Sequence, residues 1–599
     1  MKQCLAFVLV FAFTTSALAA PAPQSTSGST AKKKKASAST SSIAAQLDRM
    51  QQSIDAQQKQ IEELRQQLQN KDQAAQQMQQ KLDQSQSTAA EAQSKADAAA
   101  SQTAQQAQTV NQLSSDVSDI KQNSANTALT LQETQKTVND LQSPLALRYK
   151  GITITPGGFL AAETVWRQRG VGGDINTPFT SIPFGGASNS NLSEFFASGR
   201  QSRISMLAEG KLKSAKLTGY VEADFLSAGV TSNNNQSNSY TLRQRQAWGQ
   251  AALDNGWSFT GGQMWSLITE TKKGLDNRTE ALPMTIDPQY TVGFSWARQY
   301  GFRVTKNFNN KFWLGFAVEN SQETLTAHNA SANFVVGQLG NSGGLYNAFN
   351  GNYSYNPSPD FVVKLAAEPG FGHYELFGIY SRFRDRVFPC ATTATTGVCG
   401  GITGPSAALA NNDSRDGGGF GANARWSVMQ KHMDIGLHAF GGDGTGRYGT
   451  SGLADVTVRP TGTLAPIRNY QGLATLEWHY PKFDVYLNAG SEYDQRTWFV
   501  ATKPVGYGAP GFNNSGCGTE LVPGAGGFAP TAPGNCTGDV RNTIEGTFGF
   551  WYRLYSGSKG KLQFGPQYSY VVKNTWSGTP GEPHAVDNMI LTSFRYYLP

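Results

Sequence analysis

The sequence predicts an all-β transmembrane barrel of about sixteen antiparallel strands, preceded by a long α-helical coiled coil. Three observations carry this prediction. A heptad pattern of apolar residues runs from Ile43 to Leu141, apolar and polar residues alternate through residues 144–599, and the connections between the alternating segments are long and short in turn. The first pattern is typical of a supercoiled helix, and the other two are typical of a closed barrel in a membrane.

Residues 1–19 predict a secretory signal peptide. Lys2 precedes an apolar run from Leu5 to Phe13, and the small residues Ala17 and Ala19 suit cleavage after Ala19 or one residue later. The run is shorter than the ~20 apolar residues that a membrane-spanning helix needs. No later stretch of the sequence reaches that length either. Barrel strands, which alternate apolar with polar residues, are the other way to cross a membrane.

Residues 20–42 predict a flexible tail that contains the consecutive lysines Lys32, Lys33, Lys34 and Lys35. Its Ala/Ser/Thr/Pro-rich composition suits a solvated spacer. The lysines are also suited to bind an anionic polymer such as peptidoglycan, or an anionic membrane surface.

Residues 43–143 predict a periplasmic coiled coil. Steps of four and three residues mark 29 core positions over 14 heptads, of which 16 hold Ile, Leu, Met or Val and five hold Ala. A strict period of 3.5 residues indicates a supercoil, because a straight helix drifts out of it. The middle, residues 85–109, is only weakly apolar, so fraying there is the alternative. Pro144 ends the pattern.

Four cysteines remain after the signal peptide, and they fall into two local pairs. Cys390 and Cys399 form one pair, and Cys517 and Cys536 form the other, both in loop-like sequence of an exported chain. An oxidising compartment favours disulfides within each pair. Metal binding is the alternative, but the spacing is not that of a metal site and no histidine lies near. We expect neither a metal nor a cofactor.

Sixteen strands are predicted in residues 144–599. They lie near 157–168, 199–210, 216–227, 239–252, 257–264, 291–305, 311–320, 357–368, 372–388, 416–430, 433–442, 468–480, 483–497, 540–556, 559–573 and 584–597. Tight turns alternate with long connections, as in barrels that have short periplasmic turns and long external loops. A soluble β-sandwich has no reason to sort its loops in this way. An even number of strands leaves both barrel termini on the periplasmic side.

Residues 199–305 carry motifs that resemble the DcaP-like porins. The motifs start at Arg200 (RQSRI), Gly219 (GYVEADF), Arg243 (RQRQAWG), Gly261 (GGQMW) and Arg298 (RQYGFR). The resemblance implies an outer-membrane homotrimer with an N-terminal coiled coil, and passive diffusion of small anionic solutes such as dicarboxylates. The chain departs from the family at its end, Leu598-Pro599, and in the length of its external loops.

Arginines on the predicted lumenal face are the candidate selectivity residues. Strand parity places Arg203, Arg243, Arg245 and Arg425 inside, whereas Arg298 and Arg303 have opposite parity, so only one of these two can face the lumen within the membrane. Rings of fixed charge select ions. The competing interpretation is structural pairing of these arginines with Glu209, Glu222 or Asp224.

The connection 265–290 follows the fifth strand and is a candidate constriction loop carrying Lys272, Lys273 and Arg278. A solvated external loop is the alternative. The net charge of residues 144–599, +6 from 37 basic and 31 acidic residues, mildly favours anions. The six histidines are scattered and no catalytic motif is found, so we expect neither an enzyme nor a nucleic-acid-binding protein.

Two other functions compete with a diffusion channel. The coiled coil and the lysine tail could make the chain a tether between the outer membrane and the cell wall. A trimeric adhesin is the second, but an adhesin uses few strands per chain, whereas about 450 residues suffice for a complete barrel in each chain. The expected partners are two further copies of the chain, outer-membrane lipid, small anions and peptidoglycan.

The coiled coil generates the first prediction. Chemical cross-linking of the purified full-length protein is expected to yield a trimer band. The apolar heptad stripe of residues 43–143 is too long to stay exposed to water and has to be buried between helices. The heptads do not fix the number of strands, so the trimer rests on the family resemblance. Cross-linking that yields only the monomer band would contradict the prediction.

Overall fold

The computed structural model describes residues 146–226, 241–326, 334–336, 354, 356–390, 407–501, 504–522 and 535–599, together with Val117, Ile120, Lys121 and Ser124. The chain divides into two units, Met1–Glu133 and Thr134–Pro599. The predicted signal peptide, the lysine tail and all but four residues of the predicted coiled coil lie outside the described residues. Those four are helical, and the heptad core residues Val117 and Ile120 are exposed. None of the described helices has the length and apolar character needed to span a membrane.

Sixteen strands form one closed antiparallel barrel. In chain order they are β1 Ile152–Arg167, β2 Glu194–Ser198 continued by Arg203–Lys211, β3 Ala215–Asp224, β4 Arg243–Leu253, β5 Trp257–Trp265, β6 Arg298–Phe308, β7 Phe312–Glu319, β8 Asp360–Ala367, β9 His373–Pro389, β10 Asn411–Val428, β11 Met433–Asp443, β12 Arg468–His479, β13 Phe483–Asp494, β14 Val540–Gly557, β15 Gly560–Thr575 and β16 His584–Tyr597. Each strand pairs with the next, and β1 closes the barrel against β16 from Phe159↔Tyr597 to Arg167↔Met589. The predicted strand number is confirmed.

Alternation along each strand separates an apolar outer face from a polar inner face. On β8 the outward Val363 and Leu365 are 47% and 51% exposed, whereas the inward Val362 and Lys364 are fully buried. On β2 the outward Ile204 and Met206 are about half exposed in the same way. An outer surface of this kind suits lipid, because closure pairs the backbone hydrogen-bonding groups of every strand.

The connections are sorted by length as predicted. The short turns are residues 212–214, 254–256, 309–311, 368–372, 429–432, 480–482 and 558–559. Both termini of the barrel lie at the end of the barrel that carries these turns. The long loops alternate with them, from residues 168–193 to 576–583. The predicted start of the sixth strand at residue 291 is wrong, because β6 begins at Arg298. The backbone N–H groups of Val292 and Gly293 donate instead to carboxylates of distant strands.

A disulfide joins Cys517 to Cys536 within the long loop 495–539, and the predicted local pairing is present there. Cys390, directly after β9, is also disulfide-bonded. Cys399 lies outside the described residues, so its pairing with Cys390 stays a prediction. Cys390 and the Cys517–Cys536 disulfide both lie at the end of the barrel that carries the long loops.

The disulfides generate the second prediction. Replacing Cys517 and Cys536 together with Ala is expected to destabilise the loop by ~2–4 kcal/mol, because the cross-link restricts the unfolded loop. Limited proteolysis of loop 495–539 measures the loss, with the barrel strands staying resistant as the internal control. Mass mapping of non-reduced peptides tests the second pair, and a Cys390–Cys517 link would refute local pairing.

Candidate functional site

The long loop between β5 and β6, residues 266–297, lies inside the barrel. Its two ends are buried, and its backbone N–H groups donate to side chains on the far wall. The N–H of Thr271 donates to Glu375 on β9 at 3.1 Å, that of Val292 to Glu545 on β14 at 2.8 Å, and that of Gly293 to Glu492 on β13 at 2.8 Å. These carboxylates are nearly fully buried. Lumenal acids therefore replace the sheet partners that an irregular segment lacks.

The tip of this loop, residues 271–280, reaches the end of the barrel that carries the short turns. An isolated bridge joins Thr271 to Glu280, and the N–H of Gly274 donates at 2.7 Å to Glu368 in the turn between β8 and β9. Three predicted constriction-loop residues, Lys272, Lys273 and Arg278, are exposed on this tip. The Arg278 guanidinium lies 4.9 Å from the ring centre of Tyr220 on β3. The tip thus brings positive charge to the lumen wall, and its role in selectivity stays a prediction.

Three predicted selectivity residues form one group, the arginine cluster, which consists of Arg203, Arg243 and Arg245 with the carboxylates Glu222 and Asp224. Arg245 is almost fully buried and donates to both carboxylates at 2.6 Å. Arg243 binds Asp224 through two nitrogens at 2.9 Å each. Arg203 lies 3.6 Å from Glu222, over the ring of Phe159. The structural pairing with Glu222 and Asp224 is therefore present.

The cluster nevertheless keeps an excess of positive charge, since three guanidinium groups meet two carboxylates. The side chains of Arg203 and Arg243 remain 21% exposed, whereas that of Arg245 is 1% exposed. Arg203 and Arg243 therefore present charge to the lumen, whereas Arg245 links β4 to the carboxylates of β3. Glu209, the other expected partner, binds Lys216 at 2.5 Å instead of an arginine.

The remaining candidate arginines contact the loop. Arg303 faces the lumen and donates at 2.8 Å to Asn277 in the loop tip, and Arg425 donates at 2.9 Å to Glu270 near the loop's start. Arg298 is the first residue of β6, between the rings of Trp265 and Trp296, each 5.3 Å away. Arg298 and Arg303 can therefore have opposite parity, because Arg298 lies at the long-loop end of β6 whereas Arg303 faces the lumen.

The loop-binding carboxylates are the part of the site that the sequence analysis missed. Glu375, Glu492 and Glu545 all occupy inward positions of their strands. Their parity marks them as lumenal acids, which was a signal available from the alternation alone. Their function of accepting hydrogen bonds from loop 266–297 depends on which loop enters the barrel, and parity does not reveal that.

A closed barrel of sixteen antiparallel strands, with a polar interior and a long loop folded inside, has the fold of the outer-membrane porins. Comparison with solved structures makes the likeness specific. The outer membrane channel DcaP of Acinetobacter baumannii matches with a TM-score of 0.50 at 12% identity, over 76% of this chain and 99% of that chain. The DcaP-like fold expected from the motifs of residues 199–305 is confirmed.

Two further solved structures cover as much of the chain with lower scores. OmpT of Vibrio cholerae matches at 11% identity over 76% of this chain and 99% of that chain, with a TM-score of 0.39. OmpF of Salmonella typhi matches at 11% identity over 76% of this chain and 100% of that chain, also with a TM-score of 0.39. No protein-family model and no curated protein sequence matches the chain.

The arginine cluster generates the third prediction. Arg245→Met is expected to lower the free energy of unfolding by ~3–5 kcal/mol, because it leaves two buried carboxylates short of a partner. Arg243→Gln is expected to cost much less, since Asp224 keeps Arg245 and the lost side chain is partly solvated. Denaturant unfolding in lipid vesicles, followed by tryptophan fluorescence, measures both. Equal losses in the two variants would contradict this division of roles.

Proposed function

We propose that the protein is an outer-membrane porin through which small hydrophilic solutes diffuse passively, with a preference for anions such as carboxylates. The DcaP-like fold supports a channel, since the barrel crosses a membrane and turns polar side chains inward. The preference for anions rests on one observation, the excess of guanidinium groups over carboxylates in the arginine cluster.

Guanidinium groups suit this task for two physical reasons. They stay charged at any biological pH, and their planar set of donors binds a carboxylate through two hydrogen bonds. In a lumen with walls of low dielectric constant, a small fixed charge raises the local concentration of the opposite ion. Arg203 and Arg243 carry the exposed charge, and Lys272, Lys273 and Arg278 on the loop tip add to it.

The remainder of the chain fits the same proposal. A signal peptide exports the protein, and the barrel termini at the short-turn end would leave residues 43–143 in the periplasm as a trimeric coiled coil. The barrel then lies in the outer membrane of a double-membraned bacterium. A tether to peptidoglycan through Lys32 to Lys35 is compatible with this arrangement and would add anchoring to transport.

Charge removal at the cluster's exposed arginines tests the proposal. The double variant Arg203→Gln/Arg243→Gln is expected to move the reversal potential in a potassium chloride gradient toward cations, with the anion-to-cation permeability ratio falling toward about 1. Planar-bilayer recordings of single channels measure it. Arg245 is left intact, so that the wall keeps its buried pairs.

Arg468→Gln is the matched control, because Arg468 is an exposed arginine on the outer face of β12, paired with Asp443 at 2.8 Å. It removes one guanidinium charge away from the lumen and should leave the reversal potential unchanged. An unchanged reversal potential in the double variant would place the selectivity elsewhere. Absence of any ion conductance by the correctly folded wild-type protein would refute the channel itself.

A further inference from the structure

Three potential metal ligands meet on the lumenal wall near the short-turn end of the barrel. Asp434 on β11 and Glu477 on β12 face each other in register, and His479 lies two residues along the same face of β12. One ligand atom from each residue lies within 4.8 Å of the other two. Two atoms that bind one zinc ion at ~2.0–2.2 Å are at most ~4.4 Å apart, so small rotations of these side chains bring all three within reach of a single ion.

The histidine is already oriented for coordination. Its Nδ1 lies 3.0 Å from Oδ1 of Asp484 on β13, and its Nε2 lies 3.4 Å from Oδ2 of Asp434. A carboxylate only accepts hydrogen bonds, so Nδ1–H donates to Asp484, and Nε2 is the ring nitrogen on the side of Asp434, where a metal ion would bind it in place of a proton. A carboxylate behind a histidine in this way is the usual outer partner of a metal-bound imidazole.

Glu477 supplies the second, independent observation. Its side chain is 2% exposed, and its Oε1 atom has no hydrogen-bond donor among the residues that the structure describes. The other oxygen, Oε2, lies 3.6 Å from Arg425. A buried carboxylate oxygen without a partner is costly, and a cation next to it removes that cost.

A plain ion pair between His479 and Asp434 is the simplest competing explanation. It accounts for those two residues but leaves Oε1 of Glu477 without a partner. A bound cation explains all of these features together.

We propose that Asp434, Glu477 and His479 bind a divalent transition-metal ion of the zinc class at this end of the lumen. The nitrogen ligand favours zinc-like ions over calcium and magnesium, which prefer oxygen ligands alone. Asp434 and His479 remain 24% and 32% exposed, so that the ion is reachable and water completes its coordination. This replaces the expectation of no metal, and it does not depend on whether the barrel conducts anions.

The site generates the fifth prediction. The full-length protein, purified in detergent without a polyhistidine tag and stripped with a chelator, is titrated with zinc chloride by isothermal calorimetry. One zinc ion per chain is expected, with magnesium failing to compete. His479→Gln and Glu477→Gln should abolish binding, and Asp484→Asn should weaken it about 10- to 100-fold. Cobalt should give the intense visible absorption of a four-coordinate site.

The controls are His584→Gln and Asp443→Asn, an exposed histidine and a partly exposed aspartate at the long-loop end of the barrel. Both should bind zinc like the wild type, and every variant is checked for wild-type heat-dependent gel mobility. Asp434→Asn gives a third ligand test, which leaves the Glu477–Arg425 contact intact. Absence of zinc binding, zinc binding that survives both His479→Gln and Glu477→Gln, or equal competition by magnesium would overturn the proposal.

Discussion

The structure depends on one constraint, the closure of the sheet. Because β1 pairs with β16, each strand has a partner on both sides and its side chains alternate between an outer and an inner face. The outer face is apolar, so the charged groups of the strands gather inside. Loop 266–297 enters the lumen and donates backbone N–H groups to three of the lumenal carboxylates. The loop and the carboxylates that accept its N–H groups are consequently a single hydrogen-bonded arrangement.

This arrangement divides the lumenal arginines by task. Arg245, Arg303 and Arg425 are buried and hold strands or loop together through acids, amides and carbonyl groups. Arg203 and Arg243 keep part of their surface in the lumen while they are paired. A partly paired guanidinium can still attract an anion, because it has five N–H donors and a single carboxylate occupies two of them.

The barrel could be predicted from the sequence because its signals are local. The alternation of Phe312, Leu314 and Phe316 with Trp313 defines β7 without knowledge of any distant residue. The start of β6 could not be predicted, since Val292 and Gly293 look like strand residues until Glu545 and Glu492 capture their N–H groups. The loop's entry into the lumen has the same non-local origin.

The metal site was out of reach for a related reason. Asp434 lies 43 positions before Glu477, and only the register between β11 and β12 sets them opposite each other. Nothing in the spacing resembles a metal motif, because the ligands come from two strands and their geometry is that of the sheet. The arginine cluster was easier to find, since β3 and β4 are consecutive and inward parity identified Arg243 and Arg245 directly.

The docking of loop 266–297 has a consequence for the order in which the chain folds. Ile286 donates to Gln567, 281 residues away, and Val292 donates to Glu545, 253 residues away. Contacts between such distant residues carry a high loop-closure entropy until the intervening chain is in place. The loop follows the fifth strand in the sequence, but its hydrogen-bond acceptors belong to the last third of the barrel. The loop therefore docks only after strands β13 to β15 have formed. The lumen consequently reaches its final shape after the barrel wall has folded.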